Sequence, residues 1–226
     1  MIFLKTAYYG LALVGKSEKM RLDVKQEWAQ MVLKSFNFEL EICGTEPKNL
    51  AAILVGNHIS FLDVPALMAA HPKATFIAKS EVRSWPVIGA GAAAAGTIFV
   101  QRKNLENKRS LYNQLAQVLK NENKNIAVFP AGTTSLYESQ AWKKGIFKMA
   151  QQSKTSLQVF RLDYRPLRES AYIDDDKILT QMRCLLKIPN KKIRLTWLEN
   201  LTCTLDPAEF AEDLRQKVIA SGLHGI

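Results

Sequence analysis

Short apolar runs alternate with longer segments of helical periodicity along almost all of the 226-residue chain. The runs are "FELEICG" (38–44), "AAILVGN" (51–57), "ATFIAK" (74–79), "GTIFVQR" (96–102), "NIAVFP" (125–130), "SLQVFRLDY" (156–164) and "KIRLTWLE" (192–199). The first alternates apolar with charged residues, as a half-buried strand does, whereas "AAILVGN" and "GTIFVQR" are nearly continuous, as buried strands are. Helices are predicted over 17–36, with Trp28, Met31, Val32, Ser35 and Phe36 near one face, and over 61–71, with Pro65 in its early part. Further helices are predicted over 104–121, with Leu105, Leu111, Leu115, Val118 and Leu119 apolar, and over about 140–152. The last runs over 206–221, with Asp206 as N-cap, Pro207 at N1 and Glu209 at N3. Strand–helix alternation predicts an α/β fold: a single domain with a mostly parallel central sheet flanked by helices. Residues 37–226 would form this domain, and residues 1–36 an N-terminal helical, membrane-associating segment.

The N-terminal run "MIFLKTAYYGLALVGKSEK" is broken by Lys5 and ends near Gly15. It is shorter than the roughly 20 apolar residues of a spanning helix. No basic stretch precedes it and no A-x-A site follows, so it does not have a signal-peptide layout. Tyr8, Tyr9 and the flanking lysines suit an amphipathic helix at a membrane interface, and equally a helix packed on the domain.

Charge sharpens the picture. A formal net charge of +10 calls for an anionic partner: a membrane surface, a phosphorylated substrate or nucleic acid. Nucleic-acid binding would need basic residues interleaved with stacking aromatics, or a recognition signature, and neither is present. The clusters "QRKNLENKR" (101–109) and "KIPNKKIR" (187–194) are candidate contact surfaces. Cys43, Cys184 and Cys203 are scattered, with no metal-ligand spacing, so no metal site is expected and a reducing compartment is.

Ligands of open α/β sheets gather at the carboxyl ends of the strands. Here those ends carry His58, Lys79, Arg102 and the Pro130–Thr133 turn. Ser60 followed by Asp63 is a capping-box pattern, with Ser60 as N-cap and Asp63 at N3, which alone accounts for the aspartate. The same geometry lets Asp63 accept from one imidazole nitrogen of His58, fixing its tautomer and leaving the other nitrogen as a general base. No G-x-S-x-G elbow or neighbouring cysteine offers a protein nucleophile, so the base would act on a substrate hydroxyl or on water.

"NHISFLD" (57–63) resembles the NHxSxxD block, which contains the HX4D motif, of the 1-acylglycerol-3-phosphate O-acyltransferase (PlsC-like) glycerolipid acyltransferases. Three further blocks follow in that family's order. "FIAKSEVRSWPVIGAGAAAAGTIFVQR" is similar to its A-K-x-E, W-P-x-x-G and G-x-I-F-V-x-R elements, "VFPAGTTS" to its F-P-E-G-T block, and "AWKKGIFKMA" to the helix that follows. With the lead-in "EWAQMVLKSFNFELEICG", the resemblance covers roughly residues 25–200. It implies acyl transfer from an acyl thioester, carried by CoA or acyl carrier protein, to a lysophospholipid hydroxyl in phospholipid biosynthesis. The first acceptor to consider is 1-acyl-glycerol-3-phosphate, lysophosphatidic acid. The thioester is a co-substrate, and no bound cofactor is implied. His58 would be the general base and Asp63 its orienting partner. Lys79 and Arg102 would hold the acceptor phosphate. Ala131, Gly132 and Thr133 would shape its floor, with Asn57 and Ser60 also at the substrate site. The enzyme would be membrane-associated, on the cytoplasmic face.

The chain departs from the pattern at Ala131, where the family block has glutamate, and at Thr134, where arginine is frequent. A substitution that weakens turnover, an altered acceptor choice and an inactive, lipid-binding relative are the competing explanations. Intact His58 and Asp63 speak against the last. Hydrolysis of the thioester by a His58-activated water is the remaining alternative. Reduced but nonzero activity is expected, with Ala131→Glu raising it.

Overall fold

The computed structural model describes every residue except 1, 14, 49–50, 85–88, 90–91, 94, 101–104, 122–123, 174–175 and 223–226. Its strands are β1 (Phe38–Cys43), β2 (Ile53–Gly56), β3 (Ala74–Lys79), β4 (Ile98–Val100), β5 (Asn125–Val128), β6 (Leu157–Arg165) and β7 (Lys191–Leu201). Its helices are α1 (Ile2–Ala12), α2 (Glu18–Ser35), α3 (Asp63–Ala70), α4 (Leu105–Asn121), α5 (Gly145–Ser153), α6 (Leu167–Ser170), α7 (Ile178–Lys187) and α8 (Pro207–Ala220), with a 3-10 turn at Ser80–Ser84. Among the described residues the strands form one seven-stranded sheet in the order β1-β7-β6-β2-β5-β3-β4. β6, β2, β5, β3 and β4 run parallel, and β7 pairs antiparallel to β6 and parallel to β1. The carboxyl ends of β2, β5 and β3 therefore lie side by side on one rim.

Period-two alternation divides the core. Leu54 of β2 faces Leu33 and Phe36 of α2, Leu67 of α3 and Leu185 of α7. Its neighbours Ile53 and Val55 face Leu115 and Leu119 of α4, Phe147 of α5 and Leu214 of α8. Helices on both faces explain why β2 is buried along its whole length. The cap read at α8 forms: Asp206 Oδ1 accepts from Ala208 N at 2.8 Å, with Pro207 in the first turn. α1 rests on α2 through buried Thr6, whose Oγ1 accepts from Trp28 Nε1 at 3.2 Å. Its Leu4, Tyr8 and Leu11, spaced at i, i+4 and i+7, are exposed. Among the described residues no helix is long and apolar enough to cross a membrane.

The α/β architecture is as the alternation predicts, with three differences of detail. The helix expected from residue 61 begins at Asp63, and the one expected from about 140 begins at Gly145. β7 reverses direction, because α6 and α7 return the chain to the rim side before it starts. No element was expected between 164 and 192, yet Met182 and Leu185 of α7 pack on the core at helical spacing.

At the far end of the sheet from the rim, Lys25 of α2 is buried and donates to Ala74 O at 2.8 Å. Burial, with Lys124 and Arg21 nearby, pushes its ammonium from 10.5 down to about 8. Below pH 8 both folded and unfolded chains are charged there, and the full cost, on the order of 3 kcal/mol, is present. Between pH 8 and 10.5 the unfolded chain binds more protons, so stability rises with pH. Lys25→Met, which also loses the bond to Ala74, should stabilise the fold at pH 7 by about 1–2 kcal/mol and flatten that rise. Urea unfolding at pH 7 and pH 10 measures both; a rise that persists in the variant assigns it to another group.

Candidate active site

β2 ends at Gly56, and the chain turns at once into Asn57 and His58. Gly56 is required there, because a Cβ would lie 2.5 Å from Phe160 Cε2 and 2.6 Å from Phe160 O on the adjoining β6. Asn57 locks the turn to the same strand: its Nδ2 donates to Leu162 O at 2.7 Å and its Oδ1 accepts from Leu162 N at 2.8 Å.

His58 projects from this turn with its side chain 22% exposed, enough to meet a substrate. Its Nδ1 lies 2.6 Å from Asp63 Oδ2. That same oxygen accepts from Ile59 N at 2.7 Å and Ser60 N at 3.0 Å, while Oδ1 accepts from Tyr164 OH at 2.5 Å. Asp63 has no exposed surface, and four donors compensate its burial. The backbone donors need an acceptor oxygen on Asp63, so in a neutral imidazole Nδ1 is the donor nitrogen of this pair and Nε2 the acceptor. Burial first, then the neighbouring Asp63 charge, holds the Tyr164 phenol well above its ordinary value, so it remains a donor.

The expected capping box does not form, since Leu62 and not Ser60 is the N-cap and Asp63 is the first helical residue and not N3. Asp63 reaches back to Ser60 N, but Ser60 Oγ donates to Ser170 O at 2.7 Å and accepts from Leu62 N at 3.3 Å. This explains the late helix start, since the residues before Asp63 wrap around its carboxylate. Asn57 and Ser60 are both buried, and their side chains are committed to backbone partners.

The β5 rim lies beside His58. Phe129 stacks on the imidazole at 4.1 Å between centroids and 11° between planes, and meets Phe160 edge-on at 6.0 Å. Ser135 N donates to His58 O at 2.8 Å. Gly132 adopts a φ of 74° and gives its N–H to Phe129 O at 3.0 Å, so that group closes the turn. Thr133 is exposed, Thr134 Oγ1 donates to Tyr172 O, and Ala131 is buried in the core behind the rim. Lys79 is exposed at the end of β3. Arg102 lies outside the described residues. The structure thus brings His58, Asp63 and the 129–133 turn together, with Lys79 farther along the same rim.

Three participants had not been singled out from the sequence. Tyr164 sits in a buried strand, where a phenol needs a polar partner, and that was its signal. Trp142 and Glu138 carry no periodicity. Yet Glu138 is buried beside His58: Oε1 accepts from His58 N at 2.9 Å and Oε2 from Trp142 Nε1 at 2.6 Å. An imidazole–carboxylate pair with one imidazole nitrogen open to a substrate can take a proton from a bound hydroxyl or water and return it.

An Acyltransferase family model matches residues 39–161. A lyso-ornithine lipid O-acyltransferase of Pseudomonas aeruginosa is 31% identical over 205 residues, covering 88% of this chain and 78% of the relative. A 1-acyl-sn-glycerol-3-phosphate acyltransferase of Neisseria meningitidis is 30% identical over 191 residues, covering 81% and 72%. The fold is similar to that of the crystal structure of PlsC, the 1-acyl-sn-glycerophosphate acyltransferase of Thermotoga maritima. The TM-score is 0.69 at 18% identity, covering 96% of this chain and 84% of that one. The family model and these relatives make the chain a member of the acyltransferase family, an O-acyltransferase related to the 1-acyl-sn-glycerol-3-phosphate acyltransferases.

Proposed function

We propose that the chain transfers a fatty acyl group from an acyl thioester, acyl-CoA or acyl carrier protein, to the free hydroxyl of a lysophospholipid, with 1-acyl-glycerol-3-phosphate as the first acceptor. The observation that carries this reading is the His58–Asp63 contact of 2.6 Å with Nε2 left free. Nε2 takes the hydroxyl proton as the oxygen attacks the thioester carbonyl. The tetrahedral intermediate collapses by breaking the C–S bond, and the proton passes from Nε2 to the departing thiolate. Asp63 stabilises the imidazolium formed between these steps. Lys79, with Arg102, would meet the acceptor's anionic headgroup.

The relative named for a lyso-ornithine lipid supports a second acceptor class, a lyso-lipid with an amino-acid headgroup. Ala131, which leaves this turn without the family block's carboxylate, fits an altered headgroup preference. We further propose that residues 1–36 associate with the cytoplasmic face of an anionic membrane through Leu4, Tyr8 and Leu11, whose exposure supports it.

His58→Ala should lower kcat by at least 100-fold in a coupled thiol-release assay with lysophosphatidate, and Asp63→Asn by at least tenfold. Persistence of acylated product at the unsubstituted rate with both residues replaced would end the base assignment. Running lysophosphatidate and lyso-ornithine lipid side by side resolves the acceptor, and free fatty acid in place of acylated lipid would mean hydrolysis instead. For the membrane, Leu4→Glu with Leu11→Glu should reduce co-sedimentation with anionic vesicles severalfold while leaving the melting temperature within a few degrees. Unchanged vesicle binding would move the contact elsewhere.

A further inference from the structure

Glu138 is a buried carboxylate that the proposed proton transfer does not use, and it lies in direct contact with the base. One oxygen holds the His58 amide at 2.9 Å, and the other holds the Trp142 indole at 2.6 Å. Its own carbonyl is held by Arg215 Nη1 of α8 at 2.5 Å. The residue is 3% exposed and adopts a φ of 48°, a conformation that non-glycine residues keep only when their surroundings enforce it. These ties fasten the His58 backbone to the 138–142 loop and through it to α8.

The same neighbourhood contains the chain's one break in the F-P-E-G-T pattern. Ala131 follows Phe129, which stacks on the His58 ring, and it shares a buried cluster with Trp142. Pro130 O accepts from Lys143 N at 3.1 Å, so the 129–131 turn and the Trp142 segment are bound to each other. Position 131 therefore lies on a turn tied to both neighbours of the Glu138 carboxylate, to the His58 ring through Phe129 and to the Trp142 segment through Pro130.

We propose that Glu138 is a positioning residue for His58, and that it supplies from the 138 loop the carboxylate that position 131 lacks. Resting on the acyltransfer reading above, this deepens it: the alanine marks a relocated group, and the chain needs no glutamate at 131. The expectation that Ala131→Glu raises activity is reversed. Two carboxylates would then compete for one set of N–H donors, and like charges brought together there repel.

A double-substitution cycle tests this. Glu138→Ala should lower kcat at least tenfold with KM changed less than threefold, since it loosens the base and not the acceptor site. Ala131→Glu alone should lower kcat at least threefold. The two together should recover to within about threefold of the unsubstituted chain, which a purely structural role for Glu138 would not produce. A pair no better than Glu138→Ala, a gain from Ala131→Glu alone, or full activity in Glu138→Ala overturns the proposal. Should Glu138→Ala fail to fold, Glu138→Gln takes its place, with and without Ala131→Glu. Hydrogen exchange at the His58 amide gives a readout independent of turnover: protected in the unsubstituted chain, at least tenfold faster in Glu138→Ala, and protected again in the pair. If the unsubstituted chain acylates no acceptor, the functional reading fails, and the exchange pattern still decides whether Glu138 holds His58 and position 131 can replace it.

Discussion

The buried carboxylate of Asp63 constrains the rest of the site more than any other group. Burying a carboxylate without partners is costly, so the chain around it is arranged to supply donors. One comes from the strand-end histidine, two from the backbone that wraps toward α3, and one from Tyr164, 101 positions away on β6. Satisfying these four bonds fixes where β2 must end, where α3 can begin, and which way the β6 side chains face. The helix start and the base–carboxylate pair, two readings of the same short stretch, are one set of hydrogen bonds.

The sheet adds a second constraint through close packing. Gly56 lets Phe160 approach β2, Phe160 meets Phe129 edge-on, and Phe129 lies flat on the imidazole. This column runs across β6, β2 and β5, neighbours in the sheet, so strand order itself holds the ring. Parallel strands put these residues at matching heights, as packing on both faces of the sheet requires.

Much of this was legible in the sequence because it is local. The alternation of apolar runs with helical periodicity marks β2, β3, β5, β6 and α8, and a histidine five residues ahead of Asp63 needs no long-range knowledge to pair with it. What stayed hidden depends on contacts between distant segments. Glu138 lies in an irregular loop, and its partner His58 is 80 positions away. Tyr164 reads as one more aromatic in an alternating strand until its hydroxyl meets Asp63. α7 shows helical spacing at Ile178, Met182 and Leu185, but lysines and a proline follow it closely, and its flanks read as a charged surface. The reversal of β7 follows from the path of α6 and α7, which no pattern within β7 encodes.

The flat contact between Phe129 and His58 has a kinetic consequence. With one face of the ring covered and Nδ1 tied to a carboxylate that cannot move, the imidazole cannot turn to exchange its nitrogens within a catalytic cycle. On the proposed mechanism a single atom, Nε2, then both receives and delivers the proton. On the proposed mechanism, hydroxyl and thioester sulfur must then be within reach of one point at one time, without a chain-bound acyl intermediate between them. The site would work through a ternary complex of lipid, thioester and protein, and steady-state lines for the two substrates would intersect instead of running parallel.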